Sequence, residues 1–267
     1  MFREIYKHIK IYCFLIKINA IKQLEYRLNL FLSLLVELGY MAVKLIYAYI
    51  VHDTGVHIAG LSPDSIYLFI GTFMLMTVFF VSMLQFNILM FDKLLRNGDF
   101  DLLLTKPVST QFLSTLGQVE TWISVPNILA GLSLLIYGWS QSGVDVSIIN
   151  IGGYIVFFIA GMITMYCLFT LPLMLAFRFK NIEALHSLLW ALWDFNNLPH
   201  KVFGAKIRLI GVAIIPIFLI TNYSPLLILN KLSTSEQIWG LIAPILLLLL
   251  TRFCWSRSIR LYESANG

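Results

Sequence analysis

The chain has 267 residues, of which 59% are hydrophobic and 12% charged, and a formal net charge of +5. An ordinary soluble domain carries about 25% charged residues, so this composition excludes a soluble globular protein and indicates an integral membrane protein. At about 20 apolar residues per spanning helix, roughly six spans fit, giving an all-α fold that makes a single transmembrane domain over residues 1–267.

Residues 2–24 place Phe2, Ile5, Tyr6, Ile9, Cys13, Ile16, Ala20 and Leu24 at helical spacing, with Arg3, Lys7, Lys10 and Lys17 mostly on the other face. This predicts a basic amphipathic helix within 1–27 that lies on the inner leaflet among membrane lipids. Phe14, Ile18 and Ile21 blur its polar face, as partial burial against other helices would. The run IYCFLI is short and is followed by Lys17, Lys22 and Arg27 rather than a small-residue cleavage site, so no cleavable signal peptide is expected.

Spans then read as Leu28–Val51, Ile66–Met90, about Phe112–Tyr137, Ile148–Phe177 and, last, Ile238–Trp255. Two segments compete for the fifth place. IEALHSLLWALWDFNNL (182–198) is helical in pattern but polar at its end, and LIGVAIIPIFLITNYSPLLIL (209–229) is apolar but interrupted by Pro216 and Pro225. Lys and Arg set the orientation. They cluster in 1–27, in 91–111 (Lys93, Arg96, Lys106) and in 252–260 (Arg252, Arg257, Arg260), and are absent from 52–65 and 139–147. Both termini and the 91–111 loop are therefore expected in the cytoplasm. If 209–229 spans, Lys201, Lys206 and Arg208 also stay inside. If 182–198 spans, they lie outside, and 209–229 becomes a re-entrant hairpin within an outer region 199–236. Trp139 and Trp239 fall at outer boundaries and Trp255 at the inner one, where interfacial tryptophans are common.

Chemistry-bearing motifs are few. There is no GxxxxGK[ST] phosphate loop and no soluble stretch long enough for a nucleotide-binding domain, so the chain is not expected to hydrolyse ATP by itself. His8, His52, His57, His186 and His200 are scattered, Cys13, Cys167 and Cys254 are far apart, and neither HExxH nor GxSxG occurs. No metal site, disulfide framework or catalytic residue is expected.

The informative polar groups lie inside the first span, where Asn29, Ser33, Glu37, Tyr40, Lys44 and Tyr47 share one helical stripe. A charge at the centre of a lone helix costs roughly 2.5–3.5 kcal/mol on insertion scales, so this stripe should face protein or water. Two readings stand. Glu37 and Lys44 pair with neighbouring helices, or Lys44 snorkels outward; alternatively Glu37, Tyr40 and Lys44 line a transport path. Gln85, Asn87 and Glu120 fall near inner boundaries, where solvated roles are expected.

The loop LLRNGDFDLLLTKPVS (94–109) mixes charges with leucines. Leu94, Leu95, Leu102, Leu103 and Leu104 form either the membrane-facing side of an interfacial helix or the contact face of a docking helix oriented by Asp99, Asp101 and Lys106, with Pro107 marking its exit.

The run NGDFDLLLTKPVSTQF resembles a loop of the ABC-2-type permease family, matched by Gly98, Asp101, Leu103, Leu104, Lys106, Pro107, Val108 and Ser109. The tail LYESANG is similar to that family's ending, through Tyr262, Ser264, Ala265 and Gly267, and NLPHKVF with IIPIFLITNYSP looks like its proline-marked segment before the last helix. The resemblance implies a permease subunit of an ABC exporter in the plasma (inner) membrane. It would work with a second permease copy or a paralogue, and with a separate cytoplasmic ABC ATPase that binds ATP and Mg. No cofactor in this chain and no nucleic-acid partner are implied. It also implies a coupling helix in the 91–111 loop, where Leu94, Leu95, Asp99, Asp101, Leu102, Leu103, Lys106 and Pro107 would meet the ATPase, and a re-entrant hairpin between spans five and six. The rival is an ATP-independent secondary transporter or a polytopic membrane enzyme. The internal repeats common in secondary transporters are not evident, since the double-proline segment has no counterpart in residues 1–130.

Overall fold

The computed structural model describes residues 2–58, 60–179 and 182–262, with side chains from Tyr6 onward. These residues form helices and turns and no β-strand. Ser264, Ala265 and Gly267 of the tail motif lie outside the described residues.

Helix α1 (Phe2–Glu25) is separated from α2 (Arg27–Thr54) by a non-helical Tyr26. The face that α1 turns to the protein is not its apolar one. Asn19 is buried, His8 and Tyr12 meet the Phe112 ring edge-on at 5.3 and 5.7 Å, and Lys7 Nζ donates to the Pro107 carbonyl at 2.6 Å. Tyr6, Ile9, Phe14, Ile18 and Ile21 stay exposed, as a helix bedded in lipid requires.

Among the described residues, four helical runs are long and apolar enough to cross a membrane: Arg27–Thr54, Pro63–Arg96, Ile148–Phe177 and Thr234–Leu261. The second starts at a Ser62 cap with Pro63 in the first turn, where its missing N–H is harmless. It runs as α3 (Pro63–Phe79), a π-helical turn (Phe80–Gln85) and α4 (Phe86–Arg96). The third expected span, Phe112–Tyr137, is not one helix. It divides into α6 (Thr110–Leu116) and α7 (Val125–Gln141), with non-helical chain at 117–124.

The physical reason is that neighbours supply the hydrogen bonds the break leaves open, as burial among apolar helices demands. Asn87 donates to the Gln118 carbonyl at 2.8 Å and accepts from its amide at 3.1 Å, while the Glu120 amide donates to the Ser82 carbonyl in the π-turn at 2.8 Å. From α1, Asn19 donates to the Gly117 carbonyl, and Gln23 bonds Val119, Glu120, Thr121 and Trp122. Asn87 is thus buried and structural rather than solvated.

Helices α3 and α7 approach until backbones touch. A Cβ on Gly138 would lie 2.3 Å from the Leu68 nitrogen, and one on Gly71 would lie 2.6 Å from the Leu135 nitrogen. Small residues permit such contact where lipid gives no hydrophobic drive for helix association.

Helix α8 (Ile148–Thr170) gives way at Pro172 to a 3-10 turn, Pro172–Phe177. Then come α9 (Glu183–Asp194), extended by a 3-10 turn at Phe195–Asn197, and α10 (Ala205–Leu209), extended by a π-turn to Ile214. Residues 209–229 are not a continuous helix either. Backbone at Ile215 and Pro216 leaves helical angles, and the chain resumes as a short turn at Ile217–Leu219 and α11 (Tyr223–Ile228). Six residues at 1.5 Å each reach only about 9 Å, so α11 alone cannot cross a bilayer. The last helix, α12 (Thr234–Ser258), opens with a capping box of Ser233 and Glu236.

A buried polar network joins the two segments that carry the proline motif. His200 N and Nδ1 meet Asn222 Oδ1 at 2.7 and 3.2 Å, and Thr221 Oγ1 lies 3.2 Å from Asn196 Oδ1. Two of the tryptophans expected at interfaces are buried in protein. Trp139 packs on Tyr154, and Trp255 packs among Phe91, Phe100 and Phe177, because aromatic partners at both ends of the bundle take up their rings.

Candidate functional site

A cavity of about 680 Å³ opens between α2, the α3–α4 run, the 117–127 segment and α9. That volume lies in the usual range for small-molecule sites. Five residues of the first-span stripe, Asn29, Ser33, Glu37, Tyr40 and Lys44, line it, whereas Tyr47 packs against the core. Their spacing puts them on one face of α2, and the turn at Tyr26 allows that face to look across at α3 and α9.

Both charged residues of the stripe have partners. Glu37 is buried and accepts a short hydrogen bond from the Asn127 amide. Lys44 Nζ donates to Asn197 Oδ1 at 2.6 Å and sits 4.8 Å from the centre of the Phe73 ring. The pairing reading of these charges and their place on a cavity wall therefore hold together. Lys44 does not need to snorkel, because Asn197 meets it at its own depth.

The opposite wall is aromatic. Trp193 stacks on Phe80 at 4.4 Å and 7° and on Phe73 at 5.6 Å, and Trp190 meets Phe80 edge-on at 5.4 Å. Phe80 opens the π-turn, whose wider coil also brings Val81 and Gln85 to the cavity. Such turns inside α-helices are frequent at functional sites. Gln85 and Glu120, expected near inner boundaries, line the cavity's wall as well. Asn127, Asn197, Trp190 and Trp193 escaped the sequence reading. The signal available was the sequence WALWDFNN, with its aromatic spacing and paired asparagines.

The 94–107 loop forms a second feature. Gly98, at φ 78°, turns the chain from α4 into α5 (Asp99–Leu104), where Asp99 and Asp101 occupy the first turn and favour its positive end. Phe100 is fully buried against Phe177, Trp255 and Tyr262, at 5.4, 6.4 and 4.8 Å. Burial of such a side chain is worth about 1.5–3 kcal/mol. The leucines do not act as one face. Leu95 is buried, Leu94 and Leu103 pack against the core, and Leu102 and Leu104 are exposed, Leu102 at 63%. Asp99, Lys106 and Pro107 are exposed, and Asp101 is half-buried. The reason is the tight Gly98 turn, which folds Leu95 and Phe100 inward together.

Among the described residues no three His, Cys, Asp or Glu side chains come together as a metal site would need. No curated protein and no solved structure matches the chain significantly. A family model described as an ABC-2 family transporter protein matches residues 38–266, which include the cavity wall from Tyr40 on, the Gly98 turn, α5 and the proline-marked network. The chain therefore belongs to the ABC-2 transporter family and is an ABC-2-type permease, a multi-pass membrane protein.

Proposed function

We propose that the protein is the permease subunit of an ATP-driven exporter and that α5 couples it to a separate cytoplasmic ATPase, which binds ATP and Mg. The observation that carries this is the contrast within one short helix: Phe100 is locked into the aromatic cluster while Leu102 and Leu104 stand exposed beside Asp99 and Lys106. An anchored helix with exposed leucines can transmit a push from a docked partner. Glu37, Tyr40 and Lys44 then line part of the translocation path, and a second permease copy or a paralogue completes it.

The same reading takes six spans in the plasma membrane, both termini in the cytoplasm, and a re-entrant hairpin at 205–229 entering from outside. Contacts support the hairpin. A Cβ on Gly161, midway along α8, would lie 2.6 Å from the Ile220 carbonyl, and one on Gly153, nearer the start of α8, would lie 2.9 Å from Leu227. Trp239, near the start of α12, donates to the Val212 carbonyl at 2.7 Å. On this reading the segment is deepest around Ile220, and both limbs rise toward the side on which α8 and α12 begin.

Replacing Leu102 and Leu104 together by serine tests the coupling. The variant is expected to insert at wild-type abundance, yet to lose co-purification of the ATPase and its stimulated ATP hydrolysis in the reconstituted pair. Unchanged retention and hydrolysis would refute coupling through α5, whereas a wild type that neither retains nor stimulates an ATPase would favour a transporter that needs none.

A further inference from the structure

The cavity carries an uneven charge. Glu37, Glu120 and Asp194 line it, and among the described residues Lys44 is its one cation. Two of these carboxylates have a positive neighbour, since Asp194 acts on Lys44 and Lys22 acts on Glu120. Glu37 has none. Its hydrogen bond comes from the neutral Asn127 amide, and the salt bridges among the described residues are made elsewhere, by His52 with Asp64 and Arg96 with Asp92. A carboxylate kept at this depth, with no protein cation to balance it, gains most from a ligand that brings one.

The walls specify the rest of such a ligand. Trp190 is 37% exposed and lines the cavity, and Phe73, Phe80 and Trp193 back it. Aromatic faces attract a positive centre within about 6 Å, an attraction that strengthens when water is excluded. Phe73 already receives Lys44 in this way at 4.8 Å. An anion would instead meet three carboxylates, and a neutral chain would offer Glu37 no charge to pair with.

We propose that this cavity is a binding site for an amphiphilic organic cation, with the positive centre beside Glu37 and the apolar body against Trp190 and the aromatic wall behind it. The proposal rests on reading the cavity as part of the transport path, and it names the class of cargo.

The test is equilibrium binding to the full-length permease in lipid nanodiscs, with empty nanodiscs subtracted. It uses two probes of one shape and opposite charge, tetraphenylphosphonium and tetraphenylborate, and the neutral triphenylphosphine oxide. The wild type should bind the phosphonium saturably and at least tenfold more tightly than the borate. Glu37→Gln, which can still accept from Asn127, should lose about tenfold in phosphonium affinity while binding of the neutral oxide is unchanged. Trp190→Leu should weaken both the phosphonium and the oxide. Equal or tighter binding of the borate overturns the proposal, as does unchanged phosphonium affinity in a Glu37→Gln protein of wild-type thermal stability. Should Glu37→Gln not fold, the wild-type charge preference and the Trp190→Leu protein still decide. Binding needs no ATPase, so lost charge selectivity with intact coupling refutes only the cargo class, and lost coupling with intact selectivity refutes only the ATPase reading.

Discussion

Phe100 lies between two aspartates in sequence, yet no part of it reaches the surface. Its burial divides the roles within α5, because an inward ring holds the helix while outward leucines remain free to dock. Phe100→Ala should therefore act through stability. Emptying a fully buried aromatic site costs about 3–5 kcal/mol, so its unfolding midpoint in detergent should fall well below that of the Leu102→Ser, Leu104→Ser protein, whose changes are exposed. Equal midpoints would show that α5 is not anchored by this ring. Sequence alone offered two possible faces for these leucines. Which of them turn inward depended on the Gly98 turn and on Phe177, Trp255 and Tyr262, which come from elements distant in the chain.

Among elements, the π-turn and the broken third segment depend on each other. Asn87, two residues beyond the π-turn, supplies both halves of a bridge to Gln118, and Ser82 within it accepts from Glu120. Asn87→Leu keeps the branched shape but removes that bridge. Two hydrogen bonds at a net 0.5–1.5 kcal/mol each suggest a loss of about 1–3 kcal/mol, with the first change expected at 117–124, where hydrogen exchange should rise before it does in α8. Uniform exchange across both would show that the break does not rely on Asn87. The α3–α7 seam should be less forgiving. Gly138→Ala puts a methyl against the Leu68 backbone, which cannot rotate away as a side chain would, so folded yield should drop sharply, whereas Gly152→Ala, with nothing near it, should be silent.

For the whole molecule, the open question of orientation turns on three positive charges. The hairpin reading puts Lys201, Lys206 and Arg208 outside, against the bias that keeps such residues in the cytoplasm. On that reading packing would have to outweigh the bias, and the His200–Asn222 network and the close approach of Ile220 to Gly161 do tie the segment into the bundle. Lys206→Cys, in a protein with Cys13, Cys167 and Cys254 replaced, should react with a membrane-impermeant maleimide added to intact cells. Reaction only after permeabilisation would place 205–214 inside. A reporter fused at Gly267 should give a cytoplasmic signal, and one inserted in 139–147 the opposite.

Composition and local periodicity, without any tertiary contact, sufficed for an all-helical membrane chain, its long apolar runs and the polar stripe of α2. These are local properties: apolar length and a 3.6-residue repeat are written along each segment. Three motifs in order, around Gly98 to Ser109, at 197–225 and in the tail, likewise pointed to the family, because each is written in adjacent residues. The break at 117–124, the π-turn and the cavity were decided by the tertiary structure. A helix at membrane depth can open only where other elements satisfy its backbone, and those partners here, Asn19, Gln23 and Asn87, lie far away in sequence. The cavity, too, exists only once α2 and α9 face each other across α3, which brings Glu37, Lys44 and Trp190 to one space.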